Sequence, residues 1–485
     1  MTFDRYNFLK AIYLDTSDRI AVIKSTQCGI SEWLWLYTVG AAVSGFNVFY
    51  VLPTIILKNQ FVRDRIDRSI TFTPYYRKLI KEGDRNSESM SLKHIGRGGV
   101  AFIGSNSAAS FTSYAADISI IDELDRCDQK NLAMTAERLS NSSHRKEILV
   151  SNPTIENFGI DESFSSSDRK EWHIKCGCGN WVKPDFFRDV VRKEGSDWII
   201  QDEEWYTGSD KDIRLICPAC GKPYDRFGEG EWVSEAEGKI SGYHISKLFS
   251  TKTTIAELLE RFESGLVNDD RMQRFYNGDL GVAFTAEGAK ISVSMLNECK
   301  REYRMEDIAP GPCVMGVDVG SKLHVRISRV LDTGELQAVY IGTADTYTDI
   351  RDLYYKFKVR VGVIDANPER RLSAKIKSSL AGFWMCFYGQ TKREVVDANS
   401  KIITVPRTPA LDAVKEHVSL QTILLPMNVQ SIEDYYAHMV ASTRVYVDER
   451  DEYVWKEGSK PDHYFHAEAY QLLAKKLLIA MVKRK

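Results

Sequence analysis

The 485-residue chain has no uninterrupted apolar run of the roughly 20 residues that a membrane-spanning helix needs. The nearest, Gly40 to Leu57, is broken by Asn47 and Pro53, so no span is expected. The opening Met1-Thr2-Phe3-Asp4-Arg5 lacks the pattern of a signal peptide. Neither sign of charge dominates: 65 Lys and Arg against 67 Asp and Glu leave a formal net charge of −2. That excludes a protein coated in positive charge, and any contact with a polyanion must come from local basic patches. With no export pattern, the nine cysteines point to a reducing compartment and not to a disulfide framework. The standard phosphate-loop pattern G-x-x-x-x-G-K-[ST] is nearly absent as well. What is present is a length with 43% hydrophobic residues, enough for two domains with a core each.

The segment Lys24-Ser25-Thr26-Gln27-Cys28-Gly29-Ile30-Ser31 reads as a phosphate loop whose lysine has moved to the front. Gly29 and Ser31 keep the second glycine and the hydroxyl, Ile30 stands where the lysine is usual, and Lys24 replaces the first glycine. The apolar Ile20-Ala21-Val22-Ile23 before it reads as a buried strand, and Glu32-Trp33-Leu34-Trp35-Leu36 after it as a packed helix. Such a loop aims backbone N–H groups and the helix dipole at phosphates, the lysine adds a point charge and Ser31 a Mg²⁺ ligand. Taken alone, an ordinary strand–loop–helix with a surface lysine fits equally. Further on, Ile118-Ser119-Ile120-Ile121-Asp122-Glu123 is an apolar strand ending in two acids. In nucleoside triphosphatases of this type the aspartate holds Mg²⁺ and the glutamate polarises the attacking water. The strand-like Glu147-Ile148-Leu149-Val150 then leads into Ser151-Asn152-Pro153-Thr154, a turn or a sensor of the γ-phosphate that couples to motion.

In this order the residues resemble the large terminase subunit of tailed bacteriophages, a DNA-packaging motor, in its lambda-type branch. There the loop reads close to K-S-x-Q-x-G-x-[ST], which Lys24 to Ser31 match. Asn106-Ser107-Ala108 running into Asp122-Glu123-Leu124-Asp125 resembles the N-S-x-A and D-E-x-D stretches of that branch. Gly242-Tyr243-His244 and Phe275-Tyr276-Asn277 to Leu280-Gly281 are similar to it too. The resemblance spans nearly the whole chain. It implies ATP with Mg²⁺ at the loop, double-stranded DNA as substrate, and the procapsid's portal protein and a small terminase subunit as partners. It further implies a homo-oligomeric ring while packaging, in the host cytoplasm and transiently docked on the portal. Where some terminases place an arginine in the loop this chain has Gln27, which speaks against an arginine finger there; Arg126 and Arg138 are candidates, as is a neighbouring subunit.

Four cysteines are grouped, Cys176-Gly177-Cys178-Gly179 and Cys217-Pro218-Ala219-Cys220-Gly221. The second pair is a good zinc knuckle and the first, C-x-C, is tighter than usual, with His173 a possible substitute ligand. Zinc-ribbon-like insertions occur in the resembling branch, so a structural Zn²⁺ is expected; four reduced cysteines in a hairpin-rich insertion is the plainer alternative. Cys28, Cys127, Cys299, Cys313 and Cys386 are isolated and expected to be buried.

After a linker-like Met305 to Pro312, Cys313-Val314-Met315-Gly316-Val317-Asp318-Val319-Gly320 is a strand carrying an acid. The alternating His324 to Ser328 and Gln337 to Ile341 complete the opening meander of an RNase H-like nuclease. Val361 to Asp365 is a second apolar strand ending in an acid. Asp318 and Asp365 are therefore candidate ligands of Mg²⁺ or Mn²⁺, which take carboxylates and act in pairs on a phosphodiester. In Pro461-Asp462-His463-Tyr464-Phe465-His466-Ala467, similar to the family's closing N/D-H-x-x-D/H-A pattern, Asp462 is the preferred third ligand, ahead of His466 and His463. Asp462 as a helix cap and His466 as a core residue are the bland alternatives. Arg444 to Asp448 and Glu452 to Lys456 read as a hairpin beside them.

The sequence thus predicts an α/β protein: a RecA-like P-loop ATPase over residues 1–300 with a zinc-ribbon-like insertion near 165–230, a linker over 301–312, and an RNase H-like endonuclease over 313–485. ATP hydrolysis would drive DNA into the procapsid and the nuclease would cut the concatemer. Two other classes are a helicase-like translocase-nuclease of recombination or repair, for which no clear helicase motifs follow Thr154, and a non-enzymatic DNA-binding assembly factor, against which the intact Lys24, Asp122, Glu123, Asp318 and Asp365 speak.

Overall fold

Runs such as Ile20–Ile23 and Val48–Leu52, apolar at every position and not at alternate ones, suit strands covered on both faces, the condition of a parallel sheet under helices. In the computed structural model they form one. The described residues are all except 1, 2, 4, 5, 81–88, 113, 208–211, 287, 308–310, 392, 448–451, 459 and 483–485. They divide into two units, Met1–Thr285 and Ala286–Lys485. Ile308, Ala309 and Pro310 of the linker and Asp448 of the hairpin lie outside the described residues.

In the first unit, parallel strands run in the order Ser241–Ile245, Arg19–Lys24, Lys146–Ser151, Ile118–Asp122, Val48–Leu52 and Gly98–Gly104, with Leu92–Ile95 antiparallel at one edge. Helix Ile30–Val43 buries Trp33, Leu34 and Trp35 against the sheet. Because neighbouring strands are parallel, the turns after Lys24, Asp122 and Ser151 all leave one end of the sheet, where ligand sites of open α/β sheets collect. At the other edge, Lys170–Lys175 pairs with Ser241–Ile245 and with Gly230–Ser234. These two strands are paired members of the main sheet, and Trp172 and Ile174 of the first pack into the central core, so the cysteine-bearing lobe proper lies between them. It holds short hairpins, Val191–Glu194 with Asp197–Ile200 and Leu215–Ile216 with Pro223–Tyr224.

The second unit is built on a sheet whose antiparallel meander, Cys313–Val319, Leu323–Val330 and Leu336–Ala344, continues from Cys313–Val319 into parallel Val359–Asp365, Phe383–Tyr388 and Ile402–Val405. Lys300–Arg301 joins this unit by pairing with Ile423–Pro426. Ser442–Val447 and Glu452–Glu457 form the expected hairpin. Helix His463–Val482 lies on the meander, where Gly316 lets the backbone of Ala467 and Gln471 come close. The fully buried Arg326 pairs there with Glu468, whose carboxylate also accepts from Tyr435 at 2.8 Å. Among the described residues no helix is long and apolar enough to cross a membrane.

Candidate functional site

Lys24 ends its strand buried, and its Nζ donates to Glu123 Oε1 and to Asn152 Oδ1, each at 3.1 Å. Three adjacent strand ends therefore converge on one ammonium. Burial pulls Lys24 down, but Glu123 above all, with Asp122 close by, outweighs it and holds the ammonium at about 12, so it stays charged. Beyond it the backbone turns through left-handed Gln27 (φ 59°) and Gly29 (φ 86°) into the helix, a sequence of turns of the kind that gathers N–H groups into an anion-binding concavity. Cys28 is buried with its Sγ 3.3 Å from Ser25 O, and Ser31 is the second residue of the helix.

Asp122 is buried, accepting from Tyr50 Oη at 3.0 Å and from the Glu123 N–H at 3.1 Å. Burial first, and then Glu123, push its carboxyl up to about 6. Glu123 sits in the left-handed region at φ 56°. Burial raises its carboxyl, but Lys24 and then Arg126 outweigh that and hold it below its ordinary value. A charged lysine, a carboxylate kept ionised and a second carboxylate that a cation would ionise fit a nucleoside triphosphate with its divalent ion.

The loop is held from behind. Ser25 N–H donates to Ile245 O at 2.7 Å and Thr26 N–H to Gly278 O at 2.8 Å. Asn152 Nδ2 donates to Lys24 O at 2.8 Å, and Asn277 Nδ2 to Thr154 O at 3.0 Å. Gly281 (φ 71°) must be glycine, since a Cβ would stand 2.9 Å from Ser25 N and 2.7 Å from Ile245 O. His244 fills the gap beneath, with Nε2 2.9 Å from Leu280 O and Nδ1 2.8 Å from Glu171 Oε2.

In the lobe, the sulfurs of Cys176 and Cys220 are 3.9 Å apart and those of Cys178 and Cys217 4.0 Å apart, all four lying within 4.8 Å of one another. Tetrahedral thiolates about 2.3 Å from Zn²⁺ stand about 3.8 Å apart, so the set fits zinc. Each pair closes on a left-handed glycine, Gly179 N–H to Cys176 O at 2.8 Å and Gly221 N–H to Cys217 O at 2.9 Å. His173 is not in the group; its Nδ1 lies 3.2 Å from Glu171 O.

In the second unit, Asp318 and Asp365 lie at the ends of adjacent parallel strands whose register pairs Val317 with Ile364. Asp318 is buried and Asp365 half-buried. Burial, then Asp318, push the Asp365 carboxyl up to about 6. Two carboxylates at neighbouring strand ends, one of them raised by burial and then by the other, fit a divalent ion. His463 Nδ1 is 2.8 Å from Asp318 Oδ2, and that contact raises the imidazole. His324 is buried beside it and pulled down to about 3 by burial, then by His463 and His438, so it is neutral.

Two family models match the sequence, the ATPase domain of phage terminase large subunit gpA over residues 7–237 and the gpA endonuclease domain over residues 240–330. The chain belongs to the phage terminase large subunits. The large terminase of bacteriophage HK97 has the same fold, with 11% identity over 97% of this chain and 94% of that one at a TM-score of 0.53. A large terminase from a thermophilic bacteriophage aligns with 12% identity over 98% of each chain at a TM-score of 0.34. No curated protein matches. This terminase is accordingly an ATPase and an endonuclease of DNA packaging, using a nucleotide and divalent metal, and the two rival classes are not favoured.

The endonuclease model ends at residue 330, so it includes Asp318 and stops before Asp365 and Asp462. Of the residues expected from the sequence, Lys24, Asp122, Glu123 and Asn152 come together, as do the four cysteines and the Asp318–Asp365 pair. Among the described residues, the group whose ligand atoms lie within 4.8 Å of one another joins Asp318 to His324 and His463 and does not include Asp462. Its Oδ2 accepts from Ser442 Oγ at 2.6 Å and lies 3.6 Å from Arg407 Nη2 and 3.4 Å from His466 Nε2, which hold the carboxyl far below its ordinary value against burial. Its carbonyl accepts the first N–H groups of the last helix, from Phe465 and His466. His466 Nδ1 is 2.8 Å from Tyr388 Oη. Arg126 is exposed beside the acids. Arg138 instead donates to Thr112 O at 3.3 Å and accepts from the Ala116 N–H, at the other end of the strand that carries Asp122. Sequence reasoning missed His324 as a site residue. A tight turn around Gly320 makes it the cross-strand partner of Asp318, and counting back from that turn would have found it.

Proposed function

We propose that the loop from Lys24 to Ser31 (Lys24, Ser25, Thr26, Gln27, Cys28, Gly29, Ile30, Ser31) holds the phosphates of ATP. Lys24 neutralises their charge, while Ser31 and Asp122 carry Mg²⁺ and Glu123 orients the attacking water. The observation that carries this reading is the single Lys24 ammonium bonded to both Glu123 and Asn152. Phosphate arriving at Lys24 competes with both partners, which frees Glu123 for water. The same arrival is felt at Ser151, Asn152, Pro153 and Thr154, the coupling segment.

In the nuclease, Asp318 and Asp365 hold Mg²⁺ or Mn²⁺, while Asp462 anchors the start of the last helix through Ser442, Arg407 and His466. Cys176, Cys178, Cys217 and Cys220 hold a structural Zn²⁺ that ties the two cysteine turns of the lobe together. The ATPase drives double-stranded DNA through the portal protein of the procapsid as part of a homo-oligomeric ring, with a small terminase subunit as partner, in the host cytoplasm and transiently docked on the portal. Plasmid cleavage with Mg²⁺ or Mn²⁺, run beside ATP hydrolysis with and without DNA, tests both activities; an inert chain in both assays would defeat the reading.

A further inference from the structure

Asp318 stands directly across from His324 in the antiparallel pairing of Cys313–Val319 with Leu323–Val330. Cross-strand partners project to one face of the sheet at close range. His463, the first residue of the last helix, arrives at the same place, and its ring stacks on that of His324 with centroids 4.5 Å apart and an interplanar angle of 14°. A ring nitrogen of each histidine and a carboxylate oxygen of Asp318 lie within 4.8 Å of one another. Gly320 makes this possible, because a Cβ there would stand 3.0 Å from His463 Cε1.

The cluster carries polar atoms that protein does not satisfy. Nδ1 of His324 is buried with no hydrogen-bond partner, in a residue only 8% exposed. His438, whose ring meets His324 at 5.2 Å and His463 at 5.5 Å, also has a buried Nδ1 without a partner. Buried imidazole nitrogens are ordinarily bonded, and a group that no protein atom pairs calls for a water, an ion or another partner.

We propose that Asp318, His324 and His463 form one cation site of mixed nitrogen and oxygen donors, which selects a transition ion such as Mn²⁺ over Mg²⁺. The proposal rests on the reading of Asp318 as a nuclease metal ligand and adds which ion it takes. Mg²⁺ keeps to oxygen and sheds water reluctantly, whereas imidazole suits transition ions. Cis donors about 2.1 Å from an octahedral ion stand about 3 Å apart, close to the 2.8 Å between His463 Nδ1 and Asp318 Oδ2.

The test uses the full chain with its cysteine lobe zinc-loaded and no nucleotide present. Mn²⁺ is titrated in and the bound ion followed by electron paramagnetic resonance, with electron spin-echo modulation reporting any nitrogen bound to it. Expected are a directly coordinated imidazole nitrogen, retention of that Mn²⁺ against about a tenfold excess of Mg²⁺, and affinity weaker by about tenfold or more in His324→Gln and His463→Gln. Bound Mn²⁺ without nitrogen coupling, or Mn²⁺ displaced by equal Mg²⁺, overturns the site, and this spectrum of the parent protein does not depend on a variant folding. Asp365→Asn should keep the nitrogen-coupled Mn²⁺ and lose plasmid cleavage. Nitrogen-coupled Mn²⁺ in a parent that cuts no DNA with any ion supports the site and defeats the nuclease role, while cleavage with nitrogen-free Mn²⁺ does the reverse.

Discussion

The carboxylate of Asp125 accepts two hydrogen bonds from Thr154, from its backbone N–H and from its hydroxyl, each at 2.8 Å. Its other oxygen takes the Ile160 N–H at 2.8 Å, and its own N–H donates to Ser151 Oγ at 3.2 Å. The turn that carries the two acids is thereby tied to the segment from Ser151 to Thr154 after the next strand, which in turn is bonded to Lys24 through Asn152. Asp125→Ala orphans three donors in a residue 2% exposed, and each buried orphan costs about 1–3 kcal/mol. A lowered thermal midpoint and slower DNA-dependent ATP turnover are expected. Thr154→Val, which loses only the hydroxyl bond, should cost about 1 kcal/mol. If it hydrolyses ATP as fast as the parent with and without DNA, the tie is structural only.

Removing Lys24 and blunting Glu123 should separate binding from chemistry. Lys24→Ala takes away the charge at the strand end and should weaken nucleotide binding and turnover together. Glu123→Gln keeps the shape and should still bind ATP, yet lose turnover by about a hundredfold or more if Glu123 orients water. Fluorescent-nucleotide titration beside phosphate release measures both, and unchanged hydrolysis in the two variants would sink the assignment.

Much of this was legible in the chain because parallel-strand cores write themselves as apolar runs. Ile20–Ile23 and Ile118–Ile121 announce strands, and the charged residues closing each run, Lys24 and Asp122, mark the ligand end of the sheet. The cysteine knuckles were legible for the same local reason. Less legible was the sheet's edge. Lys170–Lys175 is mixed in character, and it joins the main sheet by pairing with Gly230–Ser234 and Ser241–Ile245 while Trp172 packs against Phe8 and Trp232. Asp462 illustrates a different limit: an acid one turn from a histidine has the spacing of a metal ligand, and the sequence alone does not show that Ser442 and Arg407, from distant segments, bond the same carboxylate. His324 is the converse, a residue unremarkable in sequence until strand pairing sets it opposite Asp318.

Zinc in the cysteine lobe should be measurable directly. About one zinc per chain is expected by elemental analysis of protein purified without chelators. Cys217→Ser with Cys220→Ser should lose it and make the lobe between Lys170–Lys175 and Gly230–Ser234 sensitive to protease, while ATP binding at the Lys24 loop persists. Metal-free protein with an intact lobe would leave four reduced thiols as the whole account.

The role of Asp462 is decided by comparing asparagine with alanine. Asparagine still accepts from Ser442, so if the carboxylate only anchors the helix, Asp462→Asn should cut plasmid DNA within a few-fold of the parent while Asp462→Ala is destabilised, because Arg407 and His466 lose their partner. If Asp462 ligates metal, both variants should fail as badly as Asp318→Asn, which should abolish cleavage and leave ATP hydrolysis intact. His466→Ala tests the histidine separately, since it removes the contacts to Asp462 and Tyr388 and one of the pulls on the Asp365 carboxyl.

Asp365 supplies a prediction in pH. Burial and then Asp318 raise its carboxyl to about 6, against the pull of the Asn367 N–H, Tyr470 and His466, while an unfolded aspartate titrates near 3.9. Without divalent ions the folded chain therefore keeps a proton that the unfolded chain releases between about pH 4 and 6. Stability from this group is complete below about pH 4 and is lost as pH rises through about 6. Asp365→Asn cannot ionise, so in protein dialysed free of Mg²⁺ and Mn²⁺ it should melt higher than the parent at pH 8 and close to it at pH 4. Added Mn²⁺ should reverse the order at pH 8, because the parent's carboxylate gains a ligand role that asparagine fills poorly. At sub-saturating Mn²⁺, cleavage by the parent should fall as pH drops below about 6, because protons compete with the ion for the carboxylate, and saturating Mn²⁺ should move that fall to lower pH. Circular-dichroism melts at the two pH values, with and without the ion, check the sign; a variant that gains nothing at pH 8 would mean that Asp365 ionises freely and that Asp318 is not close enough to oppose it.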